Sequence, residues 1–332
     1  MVTLVTGASG FVGWHLAQAL TRRGRAVRAL VRPRSSIAGL AELPVEIVRG
    51  DLRDVPSLER ALDGVDELYH CAADYRLFVP DPSEMYATKV DGTDNLMRLA
   101  ADRGVGRVIY TSTVGTLGLT ADGTPGDERT PVTLAEMTGH YKRSKFLAEQ
   151  RVREWADRGL PVVIVNPSAP VGERDVKPTA TGRMILDYLR GRMRAYVDTG
   201  LNLIDVRDCA EGHILAAERG HVGERYILGC RNMTLKEILE TLARVSGGPA
   251  PRVRLPHWVP LTAAWIDTGV ARLLRRHPHI PLDAVRLAKH TMFFDSGKAV
   301  VELGLPQTPV EDALRRAVAW FRRSGYAGQA AA

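Results

Sequence analysis

The chain has 332 residues, 45% of them hydrophobic and 25% charged, the balance of a globular enzyme rather than of a fibre or a disulfide scaffold. Its net charge of +7 is spread over many arginines without the basic stripe and interleaved aromatics of nucleic-acid recognition, so no nucleic-acid partner is expected. Cys71, Cys209 and Cys230 are too scattered for a disulfide framework or a CxxC motif, no signal-peptide pattern opens the chain, and no apolar run nears the ~18 residues of a spanning helix. The expectation is a cytoplasmic protein, with peripheral contact at the inner membrane surface and a homodimer left open.

Short β-branched runs at 2–6, 26–31, 45–49, 66–70, 107–111 and 161–165 alternate with amphipathic stretches near 11–24, 55–63, 83–103 and 138–158. Such alternation predicts an α/β fold, a doubly wound parallel sheet of the Rossmann type. After Asn166-Pro167 the alternation breaks down into a glycine- and proline-punctuated stretch to about Gly200, followed by a strand-like Asn202-Leu203-Ile204. Two capping boxes, Asp208 to Glu211 and Thr234 to Glu237, then open helices, and the second helix should stop at Gly247. A proline-flanked segment from Pro256 to Pro281 and a helix near 309–324 complete a smaller mixed C-terminal lobe. The expected division is a first domain over 1–165, rejoined by 201–230, and a substrate lobe built from 166–200 and 231–325.

The first predicted turn reads Gly7-Ala8-Ser9-Gly10-Phe11-Val12-Gly13 between a strand and a helix. In that context one glycine permits the tight turn, another lets backbone approach a pyrophosphate, and Gly13 lets the helix pack closely on the sheet. The free N–H groups at the helix start then favour phosphate, which marks an NAD(P) site. An acidic residue at the end of the second strand would hold an adenosine ribose 2′-hydroxyl. Here the strand ends in Arg32, which suits a 2′-phosphate, so NADP(H) is favoured over NAD(H). Asp51 and Leu52 follow the third strand, where they suit the adenine, and Cys71, Ala72 and Ala73 follow the fourth, where small residues allow close approach.

Tyr141 and Lys145 stand four apart and share one face of a helix. A phenol with an ordinary pKa of about 10 needs a nearby cation to exchange protons near neutrality. Lys145 can supply it and also hold the nicotinamide ribose. Thr113, in the hydroxyl run that ends the fifth strand, is the expected second donor to a carbonyl oxygen, with Ser112 beside it as the runner-up. His277, His279 and His290 lack carboxylates or cysteines at ligand spacing, so no metal is expected.

With the glycine turn, the Thr111-Ser112-Thr113 run and the Tyr-Lys pair in this order, nearly the whole chain resembles the extended short-chain dehydrogenase/reductase superfamily. HCAADYRLFVPDP at 70–82, NPSAPVGERDVKPTATG at 166–182 and LIDVRDCAEGHILAAERG at 203–220 make it most similar to the hopanoid-associated sugar epimerase family, a relative of dihydroflavonol reductases. The resemblance implies that Pro167 and Ser168 border the nicotinamide and that Asp74, Arg174 and Arg207 meet the substrate. It also implies a small-molecule or lipid substrate, a hopanoid side chain being the natural case. Lys89 stands where many relatives carry asparagine.

The same residues serve a reductase, in which Tyr141 protonates a carbonyl, and an epimerase, in which it first removes a hydroxyl proton. Arg32 leans towards NADPH and net reduction, and the family name leans towards epimerisation. A non-catalytic NAD(P) sensor is a third reading, disfavoured by the joint presence of Tyr141, Lys145 and Thr113. Trp258 and Trp265, with arginines at 272, 275 and 276, suit either a helix lying on a membrane surface or a core helix of the lobe.

Overall fold

A computed structural model describes residues 1–72, 81–120, 122–273, 285 and 288–327. The strands of the first half are β1 (Val2–Thr6), β2 (Ala26–Val31), β3 (Val45–Arg49), β4 (Glu67–His70), β5 (Arg107–Thr111) and β6 (Val162–Pro167). With β7 (Ala169–Val171), β8 (Ala195–Tyr196), β9 (Gly200–Asp205) and β10 (Arg225–Leu228) named in turn, the main sheet runs β3-β2-β1-β4-β5-β6-β10. Every pairing in it is parallel. This is the doubly wound order, in which the chain reverses direction between β1 and β4 and opens a crevice at the carboxyl ends of those strands.

The helices are α1 (Phe11–Arg22), α2 (Val55–Ala61), α3 (Ser83–Tyr86), α4 (Gly92–Asp102), α5 (Gly139–Asp157), α6 (Ala180–Leu189), α7 (Val206–Arg219), α8 (Leu235–Ser246), α9 (Trp258–Leu273) and α10 (Val310–Arg323). Side chains of α1 and α7 form the apolar layer on one face of the sheet, among them Leu16, Leu20, Ile214 and Ala216. Those of α2, α4 and α5 form the other, with Leu58, Leu96 and Val152. Strands covered on both faces must be apolar throughout, which is why β6 reads Val-Val-Ile-Val and is buried along its whole length.

The lobe has its own core, in which Ile185, Leu239, Leu314 and Phe321 of α6, α8 and α10 close over Val171, Leu203 and Met233. Strand β9 is its spine: it pairs antiparallel with β11 (Arg231–Thr234) and parallel with β7 and with β13 (Thr291–Met292). A two-stranded piece, β8 with β12 (Val253–Arg254), lies apart from it.

The structure departs from the sequence reading at three places. The 83–103 stretch is not one α-helix but α3, a π-helical turn over Ala87–Asp91, and α4. Helix α7 is capped by Asp205, whose carboxylate accepts from the Arg207 N–H, so the expected capping box at Asp208 does not form. Asp208 instead accepts from the backbone N–H and the hydroxyl of Thr308. Strand β10 had no separate sequence signal. The expected box at Thr234 is present, and α8 ends at Gly247 in the left-handed region.

Candidate active site

Strand β1 ends in Thr6, and Gly7 turns the chain with φ of 73°. A Cβ on Gly7 would lie 2.7 Å from the Ala72 nitrogen, and one on Gly13 would lie 2.2 Å from the Gly7 carbonyl oxygen. Both contacts are with backbone, so only glycine permits the close meeting of turn, helix and β4 end. Gly10 caps α1 without any side-chain acceptor, leaving first-turn N–H groups available to phosphate oxygens.

A buried relay fixes the neighbouring strand end. The Ala72 N–H donates to Thr6 Oγ1 at 3.1 Å, Thr6 Oγ1 meets His70 Nδ1 at 2.7 Å, and His70 Nε2 meets Thr93 Oγ1 at 3.0 Å. Burial depresses His70 to about 3, so the ring is neutral; with Thr6 donating to Nδ1, its Nε2–H faces Thr93. The relay was absent from the sequence reading, although Thr6 and His70 are register partners on β1 and β4.

Outside the sheet edge lies one cleft of about 1150 Å³. Its walls bring together Gly7, Ser9, Gly10, Phe11, Val12, Gly13, Arg32, Asp51, Leu52, Cys71, Ala72, Ser112, Thr113, Tyr141, Lys145, Pro167, Ser168 and Arg174. Ala73 and Asp74 lie outside the described residues. Arg32 opens a loop whose carbonyls, at Arg32, Pro33 and Ser35, all accept from Arg49 Nη1. Asp51 is held by Arg53, whose Nε and Nη2 approach its two oxygens at 3.0 and 3.1 Å and keep its carboxyl below the usual range. Ser168 Oγ is buried with no hydrogen-bond partner among the described residues. The glycine cradle, the uncapped helix start and this orphan hydroxyl together fit a dinucleotide cofactor.

Helix α5 carries Tyr141 and Lys145. The Lys145 ammonium is buried, donates to the Thr111 carbonyl at 2.7 Å, and is lowered by desolvation to about 8. Thr111 Oγ1 contacts Cys71 Sγ at 3.2 Å and His213 Nε2 at 3.0 Å. Burial raises the Cys71 thiol to about 11, so it stays protonated. Lys142, which the sequence reading passed over, also lines the cleft with its pKa lowered by burial.

The two candidate hydroxyls have different surroundings. Ser112 is buried and donates to Glu149 Oε2, which also accepts from Thr116 Oγ1 at 2.8 Å and Asn166 Nδ2 at 3.2 Å. It is therefore committed to a structural network. Thr113 is half-buried on the cleft wall, its Oγ1 accepting from the Gly115 N–H at 3.1 Å and keeping a proton to donate. Of the expected substrate contacts, Arg174 lines the cleft with φ of 69°, held by Glu42 at 2.8 and 3.1 Å and stacked 3.8 Å from the Trp14 ring centroid. Arg207 is the exception: it pairs with Glu173 and lines a separate shallow hollow with His15 and Arg22, not the cleft.

Among the described residues no group of three or more histidine, cysteine or carboxylate side chains is placed to hold a metal, and no helix is long and apolar enough to cross a membrane. His277 and His279 lie outside the described residues.

Comparison with known proteins gives the family. The model of the NAD dependent epimerase/dehydratase family matches residues 3–229. A candidate dihydroflavonol 4-reductase of Synechocystis sp. is 45% identical, the match covering 97% of this chain and 95% of the relative. Sterol demethylase protein B of Methylococcus capsulatus is 39% identical over 98% of this chain and 99% of its own length. Among solved structures, that of PA4631, a nucleoside-diphosphate-sugar epimerase from Pseudomonas aeruginosa, superposes with a TM-score of 0.80 at 31% identity, covering 98% of this chain and 99% of that one.

Proposed function

The chain belongs to the NAD dependent epimerase/dehydratase family, and within that family of NAD(P)-dependent enzymes we propose that it is a reductase, using NADPH to reduce a carbonyl on an apolar, lipid-like substrate such as a hopanoid side chain. The observation that carries the reading is the lobe side of the cleft, lined by Met184, Met193, Leu201, Ile238 and Met292. Methionine and branched apolar side chains suit a large hydrocarbon body. Two relatives have names in keeping with such a substrate: the sterol demethylase protein of Methylococcus, and a ketoreductase of a farnesylated quinoline oxide from Stigmatella aurantiaca that is 32% identical over 100% of this chain.

When bound, the nicotinamide supplies the hydride. Tyr141 gives its phenolic proton to the carbonyl oxygen, leaving an alcohol, and the Lys145 ammonium supports the phenolate that remains. Thr113 donates a second hydrogen bond to the oxygen as it gains charge. Gly7, Gly10 and Gly13 would seat the pyrophosphate, Asp51 and Leu52 would flank the adenine, Ser168 would border the nicotinamide, and Arg32, its loop shaped by Arg49, would take a 2′-phosphate.

Epimerisation of a sugar is the second reading, favoured by the similarity to the Pseudomonas epimerase. An epimerase keeps its cofactor through each turnover, whereas a reductase releases it. The apolar substrate reading also gives a role to the exposed face of α9, where Trp258, Trp265 and Ile266 meet solvent: peripheral contact with the cytoplasmic membrane surface, from which the substrate would be drawn.

The test is to supply purified protein with NADPH and a panel of carbonyls, polycyclic or isoprenoid aldehydes and ketones beside nucleotide-sugars, and to follow nicotinamide absorbance. Consumption with the apolar carbonyls and not with the sugars is expected. Isomerised sugar product, unchanged absorbance and cofactor retained through purification would replace the reductase by the epimerase.

A further inference from the structure

Lys145 is not the only buried lysine at helix α5. Lys89, on the π-helical turn, is 3% exposed, and its Nζ stands 4.1 Å from the centroid of the Tyr141 ring. The same Nζ donates to Ser144 Oγ at 3.3 Å, and Ser144 Oγ donates to the Tyr141 carbonyl at 3.0 Å. A buried lysine is rare in any core, and a single π turn in an otherwise α-helical stretch recurs at functional positions. Lys89 lies on this turn, one residue after Thr88 on the cleft wall, and reaches Ser144 of α5.

We infer that Lys89 is a second positioning cation for Tyr141: it clamps the ring by its face and stabilises the phenolate, dividing with Lys145 the task of bringing the phenol into a working range. A cation over an aromatic face is attracted to the ring, and the attraction grows when the ring oxygen becomes an anion. Lys145 approaches from one turn further along the same helix and holds the Thr111 carbonyl. Lys89 comes from a different element, so it also fixes where the ring points. This rests on the assignment of Tyr141 as proton carrier.

Several other titratable groups surround the ring. On α5 these are His140, Lys142, Lys145 and, two turns on, Glu149; on α3 they are Glu84 at the cleft wall and Tyr86, whose hydroxyl meets His140 Nδ1 at 3.3 Å. Strand β5 contributes Tyr110, which feels the charge of both Tyr141 and Glu149. Cys71 stands at the end of β4 and Asp91 on the π turn itself. Among the described residues, the cation that stands over the ring face is Lys89.

The experiment is an ultraviolet phenolate titration of the cofactor-free protein, each protein read as the difference from its own Tyr141→Phe counterpart so that only Tyr141 is seen. Lys89→Met should raise the Tyr141 midpoint by about one pH unit, and Lys89→Arg should restore most of it. NADPH affinity and circular dichroism, measured alongside, verify that the site is assembled; if Lys89→Met fails to fold, Lys89→Gln replaces it with the same expected rise. An unmoved midpoint in a folded, NADPH-binding variant overturns the inference and leaves Lys89 as helix packing. The titration needs no substrate, so a failure of the carbonyl panel above would sink the reductase reading without touching this result.

Discussion

At the scale of single residues, the two members of the Tyr-Lys pair make opposite demands on the fold. Lys145 has an ordinary pKa of 10.5, lowered to about 8 by burial. At neutral pH the folded protein therefore holds an ammonium in a site that disfavours its charge. The unfolded chain keeps this proton up to about 10.5, while the folded chain releases it near 8. Below pH 8 the full penalty stands, and between 8 and 10.5 stability rises with pH as the penalty is relieved. Lys145→Met should stabilise the fold at pH 7 by about 1–2 kcal/mol once the lost hydrogen bond to Thr111 is counted, read as a higher urea midpoint. That advantage should vanish by pH 10, and turnover should drop at least 100-fold. A lower midpoint at pH 7 would show that the buried ammonium is not a strained group. Tyr141→Phe removes the phenolic oxygen that exchanges the proton. It should cut kcat by about 10²–10⁴-fold with NADPH affinity almost unchanged, and a steady-state assay beside a fluorescence titration of NADPH separates the two effects.

At the scale of elements, the site depends on how closely α1 and α5 sit against the sheet. A Cβ at residue 13 would stand 2.2 Å from the Gly7 carbonyl oxygen and 3.1 Å from Ala8 Cα, so Gly13→Ala must push α1 away from the turn. The expected result is a stability loss of about 1–3 kcal/mol by denaturant titration and at least a tenfold loss of NADPH affinity; retained affinity would mean that the helix start does not seat the phosphates. Helix α5 is locked from inside by Glu149, which gathers Ser112, Thr116 and Asn166 and pairs with Arg225 of β10 at 3.4 Å. Removing one member of a buried charge pair strands the others, so Glu149→Ala should cost about 3–5 kcal/mol in thermal or urea unfolding. Glu149→Gln, which keeps the carbonyl acceptor, should cost less.

These elements also show what the residues alone could and could not disclose. The parallel strands were legible because burial on both faces writes them as apolar runs, and the glycine turn was legible because its chemistry is local. The π turn was not, because one inserted residue scarcely disturbs the apolar spacing of a twenty-residue stretch. The start of α7 was ambiguous for a different reason: Asp205 and Asp208 are each followed by an acidic residue three positions on, and the choice is settled by Thr308, which holds Asp208 from 100 residues away. Glu149 gave no signal either, since an acid on α5 looks like a solvated face until Asn166 and Arg225 are brought to it.

At the scale of the whole molecule, the cleft joins a half written in motifs to a half that is not. The sheet edge supplies glycines, hydroxyls and the Tyr-Lys pair in a spelled order, whereas Met184, Met193, Leu201, Ile238 and Met292 come from separate elements of the lobe and share only their apolar chemistry. On the proposed reading the substrate is one that water dissolves poorly. The lobe displays Trp258 at 65%, Trp265 at 58% and Ile266 at 68% exposure. Exposed arginines, Arg192, Arg194, Arg252 and Arg254, lie on and beside the paired strands β8 and β12, just before α9. Tryptophans at the interface with cations beside them favour an anionic bilayer surface, and the attraction should weaken with salt. The protein should therefore float with vesicles containing anionic lipid, less with neutral vesicles and less at high salt. The double variant Trp258→Ala with Trp265→Ala should float several-fold less while reducing a detergent-dispersed substrate at the wild-type rate. Equal flotation of variant and wild type would remove the membrane from the account, and the exposed tryptophans would then have no part in how substrate reaches the cleft.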